Sequence, residues 1–369
     1  MLEEAKLVNR QNYLLINRFL VYLLEIEQVS KASIDTYRFY LRHLLLWADD
    51  NLFTDLEGLR PTFPDYISGK GNNGVRLAYN TQKKVLNSAK RFFRWAKSNS
   101  NELSETSLEW FDALRLPRQT KKMCEHVYVT LEEVRKLINC PVPETDLALI
   151  RDKAAVAFLF LSGIRAGAFV TLPIRAIDLD QLTVKQLTEL GVRTKNSKSA
   201  ITYLYEMPEL LNVTREWDEI VRSNMPDDAL WYAPIDHSWK KQRLSMKQPG
   251  KNRVQALSKR LRKLYSLAGL EYKSPHKFRH GNAVYGLLNS KNMADYKAVS
   301  TNLMHSNLKT TDEIYAPLDN SEVKNRITNL TSQLKVESTG EIEKMFMNLN
   351  KNELRYVINY GIDVLADRP

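Results

Sequence analysis

The sequence contains few cysteines and no long run of apolar residues. Only Cys124 and Cys140 occur among 369 residues, too few for the disulfide framework of a small secreted protein. No apolar run approaches the roughly 18 residues that a membrane-spanning helix requires. The first residues, MLEEAKLVNRQ, have no basic region followed by an apolar one, so we expect no signal peptide. These absences favour a protein of the reducing cytosol without a membrane partner.

Glycine and proline are also scarce, with 13 of each. Their scarcity excludes a collagen-like or low-complexity chain. What remains is an ordinary globular composition, 43% hydrophobic and 26% charged, with enough length for two or three domains that each bury a core.

Acidic residues are missing from two long stretches. Residues 83–97 contain six Lys or Arg, residues 240–263 contain ten, and neither stretch contains an Asp or Glu. The whole chain has a net charge of +11, whereas the segment after residue 320 has seven residues of each sign. A basic excess confined to the first 320 residues predicts a polyanionic partner. Nucleic acid is the commonest such partner, and solvated helix faces are the alternative interpretation.

The first part of the chain has helical periodicity. In SKASIDTYRFYLRHLLLWADD the apolar residues recur every three or four positions, and NTQKKVLNSAKRFFRWAKSN has one apolar stripe with its basic residues largely off it. These helices predict a small bundle that lays a basic side on a phosphate backbone. The stretch LRLPRQTKKMCEH has no apolar period and predicts an exposed basic linker.

A second domain is predicted to begin at a helix start. Thr130 and Glu133 form a capping box before an apolar helix. The stretch RDKAAVAFLFLSGIRAGAFVTL predicts a buried helix that is interrupted at Ser162 and Gly163 and then restarts. In TELGVRTKNSKSAITYLYEM, we predict a β-hairpin with strands over 192–195 and 201–205 around a polar turn.

Two further helices follow in the sequence. The stretch VQALSKRLRKLYSLAGL predicts an amphipathic helix that Gly269 ends. Ser274 and Pro275 provide an N-cap and a first-turn proline for the next helix. The tail after Asn320 predicts two or three more amphipathic helices. The fold class is therefore mainly α with a small antiparallel β-sheet.

The motif SPHKFRHGNAV places His276 and His280 four residues apart, on one face of a helix. That spacing also occurs in helical zinc sites, where a Glu follows the first histidine. Here Lys277 holds that position and Arg279 follows, so a divalent cation would be repelled. Histidine beside arginine suits an anion instead, because a guanidinium binds two phosphate oxygens and histidine transfers protons. A structural helix is the remaining alternative.

Other candidate residues for phosphate chemistry follow a fixed order along the chain. Arg165 comes after the helix break, Lys195 lies at the predicted hairpin tip, and LMHSNLKTTDEIYAPL contains His305 and Tyr315. With HKFRH, LSGIRAGAFVTL and TKNSK, this order resembles the tyrosine recombinase (phage integrase) family. The resemblance covers about residues 15 to 320. The six residues that it marks as catalytic are Arg165, Lys195, His276, Arg279, His305 and Tyr315.

The resemblance implies strand cleavage without a metal or cofactor. Tyr315 would attack a DNA phosphodiester and form a 3′-phosphotyrosyl link, with His276 as general base. Arg165 and Arg279 would stabilise the phosphate charge in the transition state. Lys195 would protonate the leaving 5′-oxygen, and His305 would hydrogen-bond the phosphate.

Three positions depart from the family pattern. Ala168 stands where the family usually has an acidic residue, and Met304 stands where it commonly has glycine before the histidine. The hairpin lacks the arginine often found after its second lysine. Lys198 is an alternative to Lys195 as the general acid, and we prefer Lys195.

The resemblance also implies a domain organisation. We predict a helical core-binding domain over 1–115, a basic linker over 116–128, a mixed α/β catalytic domain over 129–320 and a helical C-terminal extension over 321–369. The predicted DNA-binding residues are Lys83, Lys84, Lys90, Arg91, Arg94, Arg118, Lys121, Lys122, Lys240, Lys241 and Arg243.

The implied substrate is double-stranded DNA carrying recombination sites. We expect a cytoplasmic, nucleoid-associated homotetramer on two duplexes, with accessory DNA-bending proteins as further partners. The extension would contact a neighbouring protomer or else cap its own domain. The implied activity is that of an integrase or transposase of a mobile element, or of a resolvase. Two alternatives remain: a type IB topoisomerase that relaxes DNA, and a non-catalytic DNA-binding protein on the same scaffold, which Ala168 keeps open.

Overall fold

The structure is a computed structural model of the chain. It describes residues 8–69, 77–118, 127–238, 241–246, 250, 252–304, 349–351 and 353–355. The chain divides into two compact units, Met1–Met123 and Cys124–Pro369. Among the helices in the described ranges, none is both long and apolar enough to cross a membrane.

The first unit is a helical bundle. Its helices are α1 (Arg10–Glu25), α2 (Lys31–Ala48), α3 (Phe63–Ser68), α4 (Tyr79–Asn99) and α5 (Glu109–Ala113). The periodicity predicted for α2 and α4 is confirmed. The stripe of α4, which includes Val85, Ala89 and Phe92, is buried. The ring of Phe92 packs edge-on against Phe19 of α1 and Phe53, so aromatic side chains form the centre of this core.

The second unit contains seven described helices and two small antiparallel sheets. The helices are α6 (Leu131–Ile138), α7 (Leu147–Ser162), α8 (Ala166–Phe169), α9 (Pro208–Asn224), α10 (Arg253–Leu267), α11 (Pro275–Leu288) and α12 (Met293–Asn302). The strands β1 (Ile177–Asp178), β2 (Thr183–Gln186) and β3 (Ala200–Tyr203) form one sheet in that order, and β4 (Ile235–Ser238) pairs with β5 (Lys241–Leu244). The predicted fold class is confirmed.

Helix α7 forms the centre of the second unit. Almost all of its side chains are buried, since α6, α9, α10 and α11 pack around it. Its one buried carboxylate, Asp152, accepts hydrogen bonds from Arg151 (3.0 Å), from the Tyr232 hydroxyl (2.8 Å) and from Arg260 of α10 (2.6 Å). A buried carboxylate is tolerated only when its charge is compensated in this way. The network fixes α10 against the central helix.

Several predicted helix boundaries are confirmed. Thr130 and Glu133 form the capping box of α6. Helix α7 ends where Gly163 adopts φ 59°. After α10 the chain turns at Gly269, whose φ is 66°. Ser274 and Pro275 stand at the N-cap and first position of α11. Each boundary follows from a local requirement that the sequence displays directly.

One of the two strands predicted for the hairpin is wrong. Strand β3 is present, but its partner is β2, with Gln186 opposite Ala200, and no strand forms over 192–195. Those residues belong to a connection with two short 3₁₀ turns, Thr188–Leu190 and Lys195–Ser197. Gly191 and Asn196 have positive φ angles there, which interrupt an extended strand.

Candidate active site and nucleic-acid interface

The turn after α7 places Arg165 at the start of α8. Gly163 takes a left-handed conformation that favours glycine, and a Cβ there would lie 2.5 Å from Asn282 Oδ1 and 2.7 Å from Leu303 Cδ2. The chain then runs extended through Arg165, the N-cap residue of α8. The close approach of α11 and α12 to this glycine fixes the turn that carries the arginine.

Helix α11 brings Arg279 to the same turn. The Arg279 side chain is buried, with a residue exposure of 3%. Its Nη1 donates to the Gly163 carbonyl at 2.7 Å, and its Nη2 donates to the Leu303 carbonyl. The guanidinium therefore connects the turn of Arg165 with the end of α12. A buried, bonded guanidinium is held in a fixed orientation, as an arginine that stabilises transition-state charge requires.

His276 lies one turn before Arg279 on α11. Burial lowers the pKa of His276 below its ordinary value of 6.5, and the positive charges of Arg279, Arg165 and Lys277 lower the pKa further. The interaction with both arginines places Arg165, His276 and Arg279 in one electrostatic neighbourhood. A histidine with a lowered pKa is neutral at pH 7, and a neutral imidazole can accept a proton.

The second histidine of the motif contacts the first. The rings of His276 and His280 lie 4.7 Å apart in an edge-on arrangement. Within the described part of the chain, no three His, Cys, Asp or Glu side chains come together as a group able to hold a metal ion.

Asn282 is a buried residue of the site that sequence reasoning missed. Its Nδ2 donates to the carbonyls of Phe160 (2.7 Å) and Leu161 (3.2 Å), which lie in the last turn of α7. These bonds satisfy carbonyls that the end of a helix leaves without partners. Its position, three residues after Arg279 on the same face of α11, is the only signal that the sequence gives.

Lys195 lies on the exposed connection between β2 and β3. The hydroxyl of Thr171 accepts a hydrogen bond from the Arg193 amide at 2.9 Å, which ties this connection to the segment after α8. The connection therefore runs close to the helix that Arg165 begins. Lys195 and Lys198 are both exposed, so the choice of Lys195 as general acid stays a prediction.

The last two predicted catalytic residues, His305 and Tyr315, lie outside the described residues. The residue before His305, Met304, has φ 52°. This is the conformation that makes glycine favourable, and the family commonly has glycine here. Ala168 is buried inside α8, and its amide donates to the Arg165 carbonyl at 2.9 Å. It offers no polar side-chain atom in place of the usual acid.

The basic residues of α4 differ in their surroundings. Lys83 and Lys84 are exposed, and Lys83 lies over the ring of Tyr79. Arg91 pairs with Glu27 and also contacts Tyr37. These intramolecular contacts give Arg91 a structural role in its own unit, whether or not it meets DNA.

The remaining candidates are distributed as follows. Arg94 pairs with Asp112 at 2.9 Å, and Lys90 donates to the Asp112 carbonyl at 2.6 Å. Arg118, Lys241 and Arg243 are exposed. Lys121, Lys122 and Lys240 lie outside the described residues. The assignment of all these residues to DNA stays a prediction.

Comparison with known proteins identifies the family. The sequence model described as the phage integrase family matches residues 128–322. Tyrosine recombinase XerC of Escherichia coli O127:H6 (strain E2348/69 / EPEC) is 25% identical over 317 residues, which cover 82% of this chain and 91% of XerC. Tyrosine recombinase XerD of Xanthomonas campestris pv. campestris is 28% identical over 308 residues, which cover 81% of this chain and 86% of XerD.

Solved structures share the fold. The site-specific recombinase XerH bound to palindromic difH substrate, a post-cleavage complex, superposes with a TM-score of 0.61 at 18% identity, over 89% of this chain and 98% of XerH. A lambda integrase (75–356) dimer bound to a COC′ core site gives a TM-score of 0.57 at 12% identity, over 84% of this chain and 96% of that one.

The family model spans more than half of the chain, and the chain belongs to the phage integrase family. It is a tyrosine recombinase similar to the Xer proteins, an enzyme of site-specific DNA recombination that cleaves and rejoins DNA. The resemblance expected from the motifs is confirmed.

Proposed function

We propose that the protein recombines double-stranded DNA sites by transesterification through Tyr315. In this reaction the tyrosine oxygen forms a bond to the scissile phosphorus, and the bond between phosphorus and the 5′-oxygen breaks. The 3′-phosphotyrosyl link keeps the bond energy, so a second 5′-hydroxyl can displace the tyrosine without an external energy source. Both steps exchange one phosphodiester for another.

The roles follow from the residues that surround the phosphate. Arg165 and Arg279 bind its non-bridging oxygens and stabilise the added negative charge. His276 takes the proton of Tyr315, whose ordinary pKa of about 10 leaves it protonated at pH 7. Lys195 protonates the leaving 5′-oxygen, and His305 donates to the phosphate.

One observation carries this proposal: Arg279 is fixed by the Gly163 and Leu303 carbonyls beside Arg165, with His276 one turn away. Three of the six expected residues thus meet in one place. Residues that shortly precede Lys195 and His305 support the same arrangement. Arg193 is tied to the segment after α8, and Leu303, which holds Arg279, lies two residues before His305.

A suicide DNA substrate tests the chemistry. A duplex nicked close to the cleavage site loses its short leaving strand, and the covalent protein–DNA adduct accumulates. We expect the wild-type protein to form the adduct and Tyr315→Phe to form none while still binding DNA. Tyr360→Phe is a matched control, because this tyrosine lies in the predicted C-terminal extension. No adduct from wild-type protein on its cognate DNA would leave only the non-catalytic alternative.

We further propose a homotetramer on two duplexes, with the extension over 321–369 contacting a neighbouring protomer. A segment with equal numbers of acidic and basic residues suits protein contacts better than DNA contacts. A chain that ends at Asn320 is expected to form the adduct on a single site but to recombine two sites poorly. Unchanged recombination would leave the extension a cap on its own domain.

The same assay separates the two enzymatic alternatives. Recombinant product from two sites supports a recombinase, whereas relaxation of supercoiled DNA without any recombinant supports a type IB topoisomerase. An integrase, a transposase and a resolvase share this chemistry and differ in the sites that they pair. Because the substrate is DNA, we place the protein in the cytoplasm, on the nucleoid, with DNA-bending proteins as additional partners.

A further inference from the structure

The side chain of Asn302 is bonded to the backbone of a β-strand. Its Oδ1 accepts from the Tyr203 amide at 2.7 Å, and its Nδ2 donates to the Tyr203 carbonyl at 2.9 Å. Tyr203 is the last residue of β3, which lies at the edge of its sheet. The amide of Asn302 therefore takes the place that a neighbouring strand would fill, and both hydrogen bonds join the end of α12 to the sheet.

Helix α12 buries little of its own surface. Ser300 is the only fully buried residue of the helix. Val299 of the helix and Leu303, its C-cap residue, pack in a small apolar cluster with Ala283 of α11. A helix with so little buried surface depends on its individual polar contacts for a fixed position.

The residue next to Asn302 holds a catalytic side chain. The Leu303 carbonyl accepts the hydrogen bond from Arg279 Nη2. Met304 follows in a left-handed conformation, with its amide bonded to the Thr301 carbonyl at 2.7 Å. The position of the Leu303 carbonyl therefore depends on how firmly the end of α12 is held, and the chain continues directly into His305.

We infer that Asn302 is a positioning residue of the active site, which acts by fixing the end of α12 against β3 so that the Leu303 carbonyl keeps Arg279 in place. It does not touch the DNA phosphate itself. The inference rests on the proposed cleavage by Tyr315. A small misplacement of a phosphate-binding group slows a reaction by up to about 100-fold, whereas DNA affinity is spread over many contacts.

The first test compares Asn302→Ala with Asn289→Ala. Asn289 is the C-cap residue of α11, and its Nδ2 donates to the Tyr285 carbonyl at 2.8 Å, a similarly exposed bond within α11 and its cap. In a single-turnover assay with the suicide substrate, we expect Asn302→Ala to form the adduct about 10- to 100-fold more slowly. Its DNA dissociation constant should stay within about 2-fold of wild type, and Asn289→Ala should match wild type in both.

A conservative variant separates positioning from general damage. In Asn302→Asp the carboxylate still accepts from the Tyr203 amide but cannot donate to the Tyr203 carbonyl. One of the two bonds remains, so its cleavage rate should fall between those of Asn302→Ala and wild type. Equal rates for the Ala and Asp variants would count against the inference, as would a loss of DNA affinity that matches the loss of rate.

A substrate with sulfur in place of the bridging 5′-oxygen shows whether Asn302 supports phosphate binding by Arg279 or protonation of the leaving group by Lys195. The leaving thiolate needs no proton, so this substrate should restore Lys195→Ala, which lacks the general acid. It should not restore Asn302→Ala, because Arg279 would remain misplaced. Restoration of Asn302→Ala would show that the residue acts through the connection of Lys195, and the inference would be wrong.

Failure of this inference is distinguishable from failure of the proposed function. The wild-type adduct and its loss in Tyr315→Phe report the chemistry. The ratio of the adduct-formation rates of Asn302→Ala and Asn289→Ala reports the positioning. Amide hydrogen exchange gives a readout without catalysis. In Asn302→Ala the Tyr203 amide loses its acceptor and should exchange faster than in wild type. Unchanged exchange at Tyr203 would contradict the inference even if the enzyme were inactive.

Discussion

His276 is surrounded by positive charge, although its proposed task is to accept a proton. Burial and the charges of Arg279, Arg165 and Lys277 all lower the pKa of His276 below 6.5. A phosphate group placed between the two arginines brings a negative charge that opposes this shift. The pKa of the histidine therefore depends on whether the site holds a phosphate.

We predict that the pKa of His276 lies below 6.5 in the free protein and rises when uncleavable DNA binds. The lowered pKa makes the neutral base available in the free protein. Because the unfolded chain then binds the proton more readily than the folded one, the free energy of unfolding should fall as the pH drops below 6.5. NMR titration of the His276 imidazole in the free and the DNA-bound protein measures both states. A pKa above 6.5 without DNA would contradict the electrostatic argument.

Met304 has a left-handed backbone conformation that disfavours any residue with a side chain. A side chain at φ 52° is strained by about 1 kcal/mol relative to glycine. We predict that Met304→Gly keeps the cleavage activity and that Met304→Val lowers the free energy of unfolding by about 1–2 kcal/mol, because a β-branched residue tolerates positive φ least. Denaturant unfolding measures this, with Met293→Val in helix α12 as the control expected to change little.

At the scale of single residues, the prediction rested on chemistry that is visible in the sequence, and the catalytic roles stay predictions. Arg165, His276 and Arg279 have reactive side chains in a recognisable order, and the structure brings them together. Asn282 and Asn302 could not be found in the same way, because an asparagine that bonds to distant backbone carbonyls is indistinguishable in sequence from one on a surface. Their partners, Phe160 and Tyr203, are more than 90 residues away in the chain.

At the scale of elements, α11 depends on close backbone contact with the segment that enters the second unit. The Val129 amide donates to the Lys277 carbonyl at 3.1 Å, and a Cβ on Gly281 would lie 1.9 Å from the Val129 carbonyl oxygen. The side chain of Lys273 also donates to the Tyr128 carbonyl at 2.7 Å. The helix that carries His276 and Arg279 is thus fixed by contacts in which no side chain fits at position 281.

Gly281→Ala is expected to lower the free energy of unfolding of the second unit by several kcal/mol, because backbone must move to admit the methyl group. Gly167→Ala in α8 is the matched control. Its Cβ would meet only the Arg193 carbonyl, at an ordinary 3.9 Å, and alanine is the better helix former by up to about 1 kcal/mol. Thermal or denaturant unfolding compares the two. Similar stability of both variants would show that α11 can separate from Val129 at little cost.

The helices were predictable because their period, caps and terminal glycines are local features. The partner of β3 was not. Both 183–186 and 192–195 lie within reach of a hairpin, and the choice depends on Val184 entering the core and on the turns at Gly191 and Asn196. Strand pairing is decided by burial and turn geometry together, so a sequence pattern with a plausible polar turn selected the wrong strand.

At the scale of the whole molecule, the basic excess is divided between the two units. One acid-free stretch lies in α4 of the first unit, and the other runs through β5 and α10 of the second. Two moderate binding surfaces on one chain bind more tightly than either alone, since the second contact is made within the same complex. The charge distribution therefore suits a protein that holds DNA with both units.

The exposed lysines of α4 allow this to be tested. Each phosphate contact contributes about 0.9 to the slope of log K against log salt. We predict that Lys83→Ala with Lys84→Ala reduces the magnitude of this slope by roughly 1.8, which is two contacts, while the unfolding free energy stays near wild type. Fluorescence anisotropy with labelled duplex at several salt concentrations measures the slope.

Arg91→Ala is the control for the change in salt slope expected of the two lysine substitutions. Arg91 is paired with Glu27 and lies over the ring of Tyr37, so its removal should lower the stability of the first unit by about 1 kcal/mol. An arginine already neutralised by a carboxylate releases few counterions when DNA binds. The salt slope of Arg91→Ala should therefore change by less than the roughly 0.9 that one phosphate contact contributes. If Arg91→Ala reduced the slope as much as the two lysine changes together, the ion pair with Glu27 would have to open on DNA, and α4 would meet the phosphates through its arginine side as well.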